Sequence, residues 1–347
     1  MPEILNIISE SILTDSIGGP QKVILNTIKG LKKIGYPYVM NQNPSLYRLN
    51  WIHDSAKGLI EVSLNKIPAL IGPNIAVLPK DLPGFRASLT HCIYLHPSQW
   101  CIDLWKLVGF KECPLIAWPA GIDIESFKVS RNAEAHNNVM IYFKRRNAKL
   151  LKIAIETLNN LGYNPLVIKY GNYDENQYKK ILANTAFGVW IGISESQGIG
   201  LQEALASDLP LIVLDVPSLF ESSDKKDYEF PNFLSEFIPT SVPYFDERCG
   251  IIINDITQLN QAIKQMGSNL SDYKPAEYIK ENLSLDKQAS ELISLFNNIG
   301  TKGKKYSSIS AKKNSRHDFR LSLHGHLIFV IFVFVRKLRT MFKLLKM

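Results

Sequence analysis

The chain has 347 residues, which is long enough for two domains that each bury a core. Its composition, 46% hydrophobic and 21% charged, excludes a disordered or fibrous protein. Its four cysteines form no CxxC pair, which argues against a disulfide framework or zinc site and for free thiols in a reducing compartment.

The net charge is +8, but its distribution argues against a nucleic-acid partner. Residues 301–347 hold twelve Lys and Arg and one acid, and therefore carry +11. Residues 1–300 are left with −3 (8 minus 11), so the basic charge belongs to an appendage. The N-terminal residues show no basic segment ahead of an apolar run. We therefore predict no cleavable signal peptide and expect a cytoplasmic protein.

Short apolar runs alternate with helical patterns in the first part of the chain. Apolar residues at helical spacing predict a helix over 23–34, which Gly35 ends. A polar stretch over 130–138 predicts an interdomain linker. The predicted strands of this part are 4–8, 38–40, 67–71, 93–95 and 115–118.

A second series follows the linker. The predicted strands are 139–143, 165–169, 188–192 and 210–214, and the predicted helices are 150–161, 174–183 and 200–207. This alternation predicts an α/β fold with parallel sheets and two facing Rossmann-like domains. The predicted parts are an N-terminal domain over 1–130, a C-terminal domain over 131–270, closing helices over 271–298 and a tail over 299–347.

Loops that follow strands are the candidate sites, because ligands bind at the carboxyl ends of strands in such sheets. In the loop 16–20, Gly18 and Gly19 let the backbone approach an anion at the start of a helix. Contact with a phosphate and an ordinary tight loop both fit this pattern. The loop 170–173 offers a tyrosine that could stack on a nucleobase.

The loop over 143–149 carries cations at a strand-to-helix junction, namely Lys144, Arg145, Arg146 and Lys149. Cations at this position oppose the helix dipole unless an anion binds. The loop is therefore suited to neutralising a diphosphate. The alternative is a solvated basic start of a helix.

The most informative loop is 194–206. A strand ends near Glu195, glycines follow, and a helix starts near Gly200, which places Glu203 close to its first turn. Backbone N–H groups at 198–200 can hold phosphate oxygens, and the carboxylates can accept hydrogen bonds from sugar hydroxyls. The alternative is that Glu203 only interacts with the N-terminus of its own helix.

Several motifs together match one known family. ESQGIGLQEALASDLP at 195–210 is similar to its second-lobe signature, two glutamates eight positions apart around a glycine-containing stretch. Supporting matches are GGPQKVILNTIKGL at 18–31, LHPSQW at 95–100, PAGID at 119–123 and YIKENLSLDKQASELISLF at 278–296. On these motifs the chain resembles the retaining glycosyltransferases of the GT-B fold, family-4 type (group 1), over about residues 1–300.

The resemblance implies a nucleotide-sugar donor, with Glu195 in a catalytic role against the donor sugar and Glu203 on the ribose hydroxyls. It implies donor contacts from Gly18, Gly19, Gln197, Gly198, Ile199 and Glu203, of which the 198–199 backbone would meet the diphosphate. Gln197 stands where the family usually has an aromatic residue.

The same resemblance gives Lys144 and Lys149 a catalytic role, since the family has an Arg and a Lys on the phosphates at the matching positions. A lysine lacks the bidentate fork of arginine, which leaves open whether Arg145 or Arg146 contributes it. The family's first-lobe histidine has three candidate positions, and each is more often structural: His53, His91 and His96.

We expect sugar transfer with retention to a glycan or lipid-linked acceptor. We expect no metal or other cofactor, because the first lobe shows no convincing DxD-type acidic pair and helix N-termini can stabilise the leaving diphosphate. The alternative is a catalytically silent GT-B module that binds a nucleotide or a glycan, which the intact glutamate pair disfavours. A phosphorylase or epimerase of similar shape fits these motifs less well.

The tail predicts contact with a membrane surface. Residues 321–335 carry no formal charge and would span about 22 Å as a helix, less than the roughly 30 Å hydrocarbon core. Basic residues on both sides suit anionic headgroups, so interfacial anchoring at the inner face of a membrane is the preferred interpretation. Packing against the body and disorder are the alternatives.

Overall fold

Parallel strands and their connecting helices build the N-terminal half of the protein. The computed structural model describes residues 3–13, 18–82, 89–131, 136–221, 228–297 and 299. The strands of this half are β1 (Leu5–Ile8), β2 (Tyr38–Met40), β3 (Leu49–Ile52), β4 (Ala69–Ile71), β5 (Cys92–His96) and β6 (Leu115–Ala117). They form one sheet in the order β2-β1-β3-β4-β5-β6. The helices are α1 (Gly19–Lys33), α2 (Ala56–Leu64), α3 (Gln99–Leu107) and α4 (Ile124–Phe127).

A second parallel sheet, with the order β11-β10-β9-β7-β8, occupies the C-terminal half. Its strands are β7 (Asn138–Phe143), β8 (Asn164–Lys169), β9 (Phe187–Ile191), β10 (Leu211–Leu214) and β11 (Gly250–Ile253). The helices are α5 (Ala148–Asn160), α6 (Glu175–Ala183), α7 (Ile199–Ala206), α8 (Leu259–Ser268), α9 (Pro275–Leu283) and α10 (Leu285–Phe296). The prediction of two Rossmann-like α/β domains is confirmed.

Both sheets lie in one compact unit, residues 1–230 with 235–300, and every element named here belongs to it. The predicted domain limits at 130 and 270 stay a prediction, because the two halves form one unit. The predicted membrane segment of the tail lies outside the described residues. Within the described ranges, we find no helix with the length and apolar character needed to cross a bilayer.

Strand β3 was not predicted, because Asn50 interrupts its short apolar run. The structure buries Asn50 completely and satisfies its amide. Its oxygen accepts a hydrogen bond from the Asn6 side chain at 3.0 Å, and its nitrogen donates to the Tyr47 carbonyl at 2.8 Å. A buried amide with every partner in place costs little, so the strand tolerates it. Helices α2, α3, α4 and α8 and strand β11 were not predicted either.

The two closing helices pack on different halves. Helix α9 buries Tyr278, Ile279 and Leu283 in the C-terminal core, whereas α10 buries Leu292 and Phe296 in the N-terminal core. The chain changes direction at Ser284, which ends α9 and precedes α10. The helices therefore connect the two halves.

Helix α10 crosses α1 closely because α1 has a glycine at the crossing. A Cβ added to Gly30 would lie 2.9 Å from the Ala289 Cβ and still closer to the Leu285 carbonyl oxygen. Residues 121 and 122, which belong to the segment between the two sheets, are held by hydrogen bonds close to this crossing. The Ile122 N–H donates to the Leu283 carbonyl at 2.8 Å, and the Asn26 side chain donates to the Gly121 carbonyl at 2.7 Å. Together these two hydrogen bonds connect α1, through residues 121 and 122, to α9 in the C-terminal half.

Candidate functional site

The loop between β9 and α7 carries the strongest predicted motif. Gly198 is the N-cap of α7 and has φ +80°, a left-handed conformation that favours glycine. No side chain caps this helix. The first N–H groups of a helix have no partner within it, so the start of α7, including Ile199, can donate to an anion.

Glu195 and Lys144 form an ion pair beside this helix start. The Lys144 Nζ lies 2.6 Å from the Glu195 Oε1, and both side chains are mostly buried, at 14% and 15% exposure. The Lys144 N–H donates to the Ile191 carbonyl at 2.9 Å, which fixes β7 against the end of β9. The structure thus brings together two predicted site residues at the carboxyl ends of neighbouring strands.

The main chain of Glu195 is held from both halves of the protein. Its N–H donates to the Thr240 carbonyl at 3.0 Å. Its carbonyl accepts a hydrogen bond from the Trp100 indole nitrogen of α3, also at 3.0 Å. The contact from Trp100 was not predicted, although LHPSQW was among the matching motifs, because a pairing between halves has no local signal.

Glu203 does not interact with the N-terminus of its own helix. It lies within α7, is 4% exposed, and forms a direct ion pair with Lys22 from α1. Lys22 also lies 3.5 Å from Glu175 of α6. Burial raises the pKa of Glu203, and the charge of Lys22 opposes that rise. Lys22 was not singled out from the sequence, although it lies in the matched 18–31 segment.

The remaining cations of the 143–149 loop have different environments. The Arg146 side chain is 5% exposed, donates to the Gly192 carbonyl at 3.0 Å and lies 3.4 Å from the Glu221 carboxylate. It therefore ties the end of β9 to the loop that follows β10, a structural role. Arg145 adopts φ +54°, and its guanidinium lies 5.0 Å from the Tyr170 ring centroid.

The fourth predicted loop also reaches this cluster. The Lys144 Nζ lies 4.7 Å from the centroid of the Tyr170 ring, which is 45% exposed. Lys149 is exposed in the first turn of α5 and makes no ion pair among the described residues. Its phosphate contact stays a prediction, as does stacking of Tyr170 on a base.

Gln197 has a structural environment that the resemblance did not anticipate. Its side-chain oxygen accepts from the Ala120 N–H at 2.9 Å, and its nitrogen donates to the Ala120 carbonyl at 2.8 Å. The same nitrogen donates to the Gln202 side chain at 3.0 Å. Its buried amide therefore joins the two halves, and contact of Gln197 with a donor stays a prediction.

The glycine pair at the start of α1 is exposed. Gly18 has φ −98°, which any residue can adopt, and a Cβ at Gly19 would meet nothing within 4 Å. The fold does not require glycine here, so close approach of a ligand stays a prediction for both. Residues 14–17, the preceding part of this loop, lie outside the described residues.

A cavity of about 590 Å³ opens next to Glu195. Its walls come from Pro20 at the start of α1, the loop after β4, the end of β5, helix α3, the 193–196 loop and five residues beyond β10, namely Ser218, Leu219, Glu221, Tyr228 and Phe230. Lys144, Lys149 and Glu203 do not line it. Of the donor-site residues predicted from the sequence, Glu195 is the one that lines the cavity.

Of the three candidate histidines, only His96 lines the cavity. It is 3% exposed, and its Nε2 has no hydrogen-bond partner among the described residues. His53 is buried with its Nε2 2.7 Å from the Asn74 amide, and the His91 Nε2 lies 3.1 Å from the Val62 carbonyl. Of the three candidates, His96 is therefore the one that a ligand in this cavity could contact.

Burial lowers the pKa of His96 to about 3, so the folded protein holds this imidazole neutral. The unfolded chain takes up the proton below about pH 6.5, and stability from this group is lost as the pH falls from there towards 3. We expect wild type to lose about 2 kcal/mol more unfolding free energy between pH 7 and pH 5 than the His96→Asn variant. Urea unfolding at both pH values checks this, and equal losses would refute it.

Within the described residues, no group of three or more His, Cys, Asp or Glu side chains is placed to hold a metal ion. No protein-family model matches the sequence, and no curated protein matches it either.

Solved structures do share the fold. Sucrose-phosphate synthase from Thermosynechococcus elongatus is 12% identical with a TM-score of 0.57, over 85% of this chain and 98% of that one. Starch synthase IV from Arabidopsis thaliana, bound to ADP and acarbose, is 10% identical with a TM-score of 0.55, over 86% and 99%. HepE from Anabaena, in complex with UDP, is 12% identical with a TM-score of 0.53, over 85% and 100%. The protein has the GT-B fold.

Proposed function

We propose that this protein is a glycosyltransferase that moves a sugar from a nucleotide-sugar donor to an acceptor hydroxyl. The observation that carries the proposal is the Lys144–Glu195 pair beside the uncapped start of α7, with Glu203 buried in the same helix. An ammonium and helix N–H groups suit a diphosphate, and carboxylates suit sugar hydroxyls. Solved structures of this fold contain ADP and UDP, which agrees with such a donor.

In the proposed reaction the acceptor oxygen forms a bond to the anomeric carbon of the donor. The bond from that carbon to the diphosphate oxygen breaks, and the diphosphate receives the electron pair and the acceptor proton. Lys144 and the start of α7 stabilise the charge that develops on the leaving diphosphate. We propose that the reaction needs no metal, because these groups already supply positive charge where the leaving group needs it. We propose retention of configuration because the resemblance implies it.

The Lys22–Glu203 ion pair favours a second candidate, a GT-B module that binds a ligand without transfer. The Lys22 ammonium is paired with the Glu203 carboxylate, which is the group that would accept hydrogen bonds from the ribose hydroxyls of a donor. A donor must displace this lysine, whereas a silent module could keep the pair. Release of a nucleoside diphosphate distinguishes the two functions.

The test uses the full chain with UDP, ADP and a panel of their sugar conjugates. We expect one nucleoside diphosphate to raise the thermal midpoint, corresponding to about 2.7 kcal/mol at a hundred times its Kd, with the monophosphate weaker. The matching sugar conjugate should be cleaved to that diphosphate when acceptors are present. Binding without cleavage would favour the silent module, and no binding at all would contradict both.

A further inference from the structure

The main chain of Glu195 is held on both sides of its Cα atom. The Glu195 N–H donates to the Thr240 carbonyl, and the Glu195 carbonyl accepts from the Trp100 indole N–H, each at 3.0 Å. The direction in which the Glu195 side chain leaves the backbone depends on these two planar peptide groups. The groups that hold the backbone can therefore position the carboxylate without touching it.

The contact with Thr240 is fixed within the C-terminal half. The Thr240 hydroxyl donates to the Asp215 carboxylate at 2.9 Å, and the Ser241 N–H donates to the other oxygen of that carboxylate at 2.6 Å. Hydrogen bonds to a carboxylate are among the strong ones in proteins, so residues 240 and 241 are held at the end of β10. The contact from Trp100 differs, because it comes from helix α3 in the N-terminal half.

Trp100 does not have the environment of a core tryptophan. Trp51 and Trp118 are fully buried in the N-terminal core, whereas Trp100 is half-buried and lines the cavity together with Glu195. Its ring centroid lies 6.3 Å from that of Phe237. A tryptophan N–H usually finds a hydrogen-bond partner, and here the partner is the main chain of a site residue. This hydrogen bond therefore fixes the site and not a core.

We propose that Trp100 is a positioning residue for sugar transfer, which holds the Glu195 carboxylate at the donor sugar from the opposite half of the protein. This inference rests on the proposed function, because Glu195 needs a defined position only if it contacts a donor sugar. Trp100 takes no part in making or breaking bonds. Its effect on the rate comes through geometry, since a misplacement of about 1 Å in a site can cost about 100-fold.

Trp100→Phe removes the N–H group and keeps an aromatic ring in the cavity wall. With the nucleotide sugar that the protein is found to use, we expect kcat to fall about tenfold, because Glu195 is held on one side only. The Kd of the nucleoside diphosphate should stay within about twofold, because Lys144 and the start of α7 are unchanged. The kcat/KM preference for the bound sugar over an epimer should fall about fivefold, since a displaced carboxylate discriminates less between hydroxyl positions.

Tyr244→Phe is the matched control. The Tyr244 hydroxyl donates to the Pro97 carbonyl at 2.6 Å, so this variant also removes one hydrogen bond between the C-terminal half and the start of α3. The bond from Trp100 to Glu195 stays in place. We expect both variants to lower the thermal midpoint to a similar extent, whereas kcat and sugar preference in Tyr244→Phe stay within about twofold of wild type. Trp100→Leu, which lacks the N–H group as well, should lower kcat at least as much as Trp100→Phe.

The outcomes separate the two proposals. If wild type neither binds nor turns over any nucleotide sugar, the proposed function itself is overturned. If wild type is active, the positioning role is overturned when Trp100→Phe and Trp100→Leu keep the wild-type kcat. It is equally overturned when Tyr244→Phe loses as much kcat and sugar preference as Trp100→Phe, because any contact between the halves would then have the same effect.

Discussion

Replacing Lys144 with alanine should lower kcat by about 10²- to 10³-fold, which corresponds to about 2.7–4 kcal/mol of lost transition-state stabilisation. The ammonium lies 2.6 Å from Glu195, at the end of β7 and near the start of α7. It is placed to balance charge that exists fully only when the diphosphate leaves. The effect should therefore fall mainly on kcat, measured with saturating nucleotide sugar.

Two variants control for this result. Lys144→Arg keeps the charge and offers a bidentate fork, so kcat should stay within about tenfold of wild type. Lys152→Ala removes a cation from the exposed face of α5, where it pairs with Glu156 at 3.8 Å, and should leave kcat unchanged. If Lys144→Ala and Lys152→Ala lowered kcat equally, Lys144 would act only through the net charge of the protein and not at the diphosphate.

Replacing Glu203 with glutamine should weaken nucleotide binding by about 10- to 100-fold. A buried carboxylate that accepts hydrogen bonds from ribose hydroxyls contributes about 1.5–3 kcal/mol, and the amide keeps the volume but loses the charge. Titration calorimetry of the nucleoside diphosphate measures the change in Kd.

Glu175→Gln is the matched control, because Glu175 is the second carboxylate near Lys22 and is more exposed. It should change the Kd by less than about threefold. If Glu203→Gln kept its nucleotide affinity and lost unfolding free energy, Glu203 would serve only to join α7 to α1 and would not bind the nucleotide.

Much of the fold could be predicted, because strongly apolar strands alternate with periodic helices. The strand predicted at 139–143 is observed as Asn138–Phe143, and the helix predicted at 150–161 as Ala148–Asn160. The missed strand β3 shows the limit of this approach. Asn50 makes the run look polar, and its amide is satisfied by the distant Asn6 and by the nearby Pro44 and Tyr47. No local pattern reports a hydrogen bond between residues 44 positions apart.

The site was predictable where it depends on the ends of strands. Lys144 and Glu195 follow neighbouring strands, so parallel topology alone places them together. Side-chain direction could not be predicted. Arg146 is adjacent to other candidate cations but points to buried carbonyls, and Gln197 lies inside the key motif but bonds to Ala120. Lys22 reaches Glu203 from 181 residues away. The motifs therefore predict which residues lie together better than they predict the contacts of each side chain.

We propose that the diphosphate lies at Lys144 and the start of α7 while the ribose lies at Glu203. Titration calorimetry of a nucleoside diphosphate and its parent nucleoside, with wild type, Lys144→Ala and Glu203→Gln, tests it most directly. We predict that Lys144→Ala weakens the diphosphate at least about tenfold and leaves the nucleoside unchanged, whereas Glu203→Gln weakens both. Wild-type affinity of both variants for the diphosphate would contradict the claim.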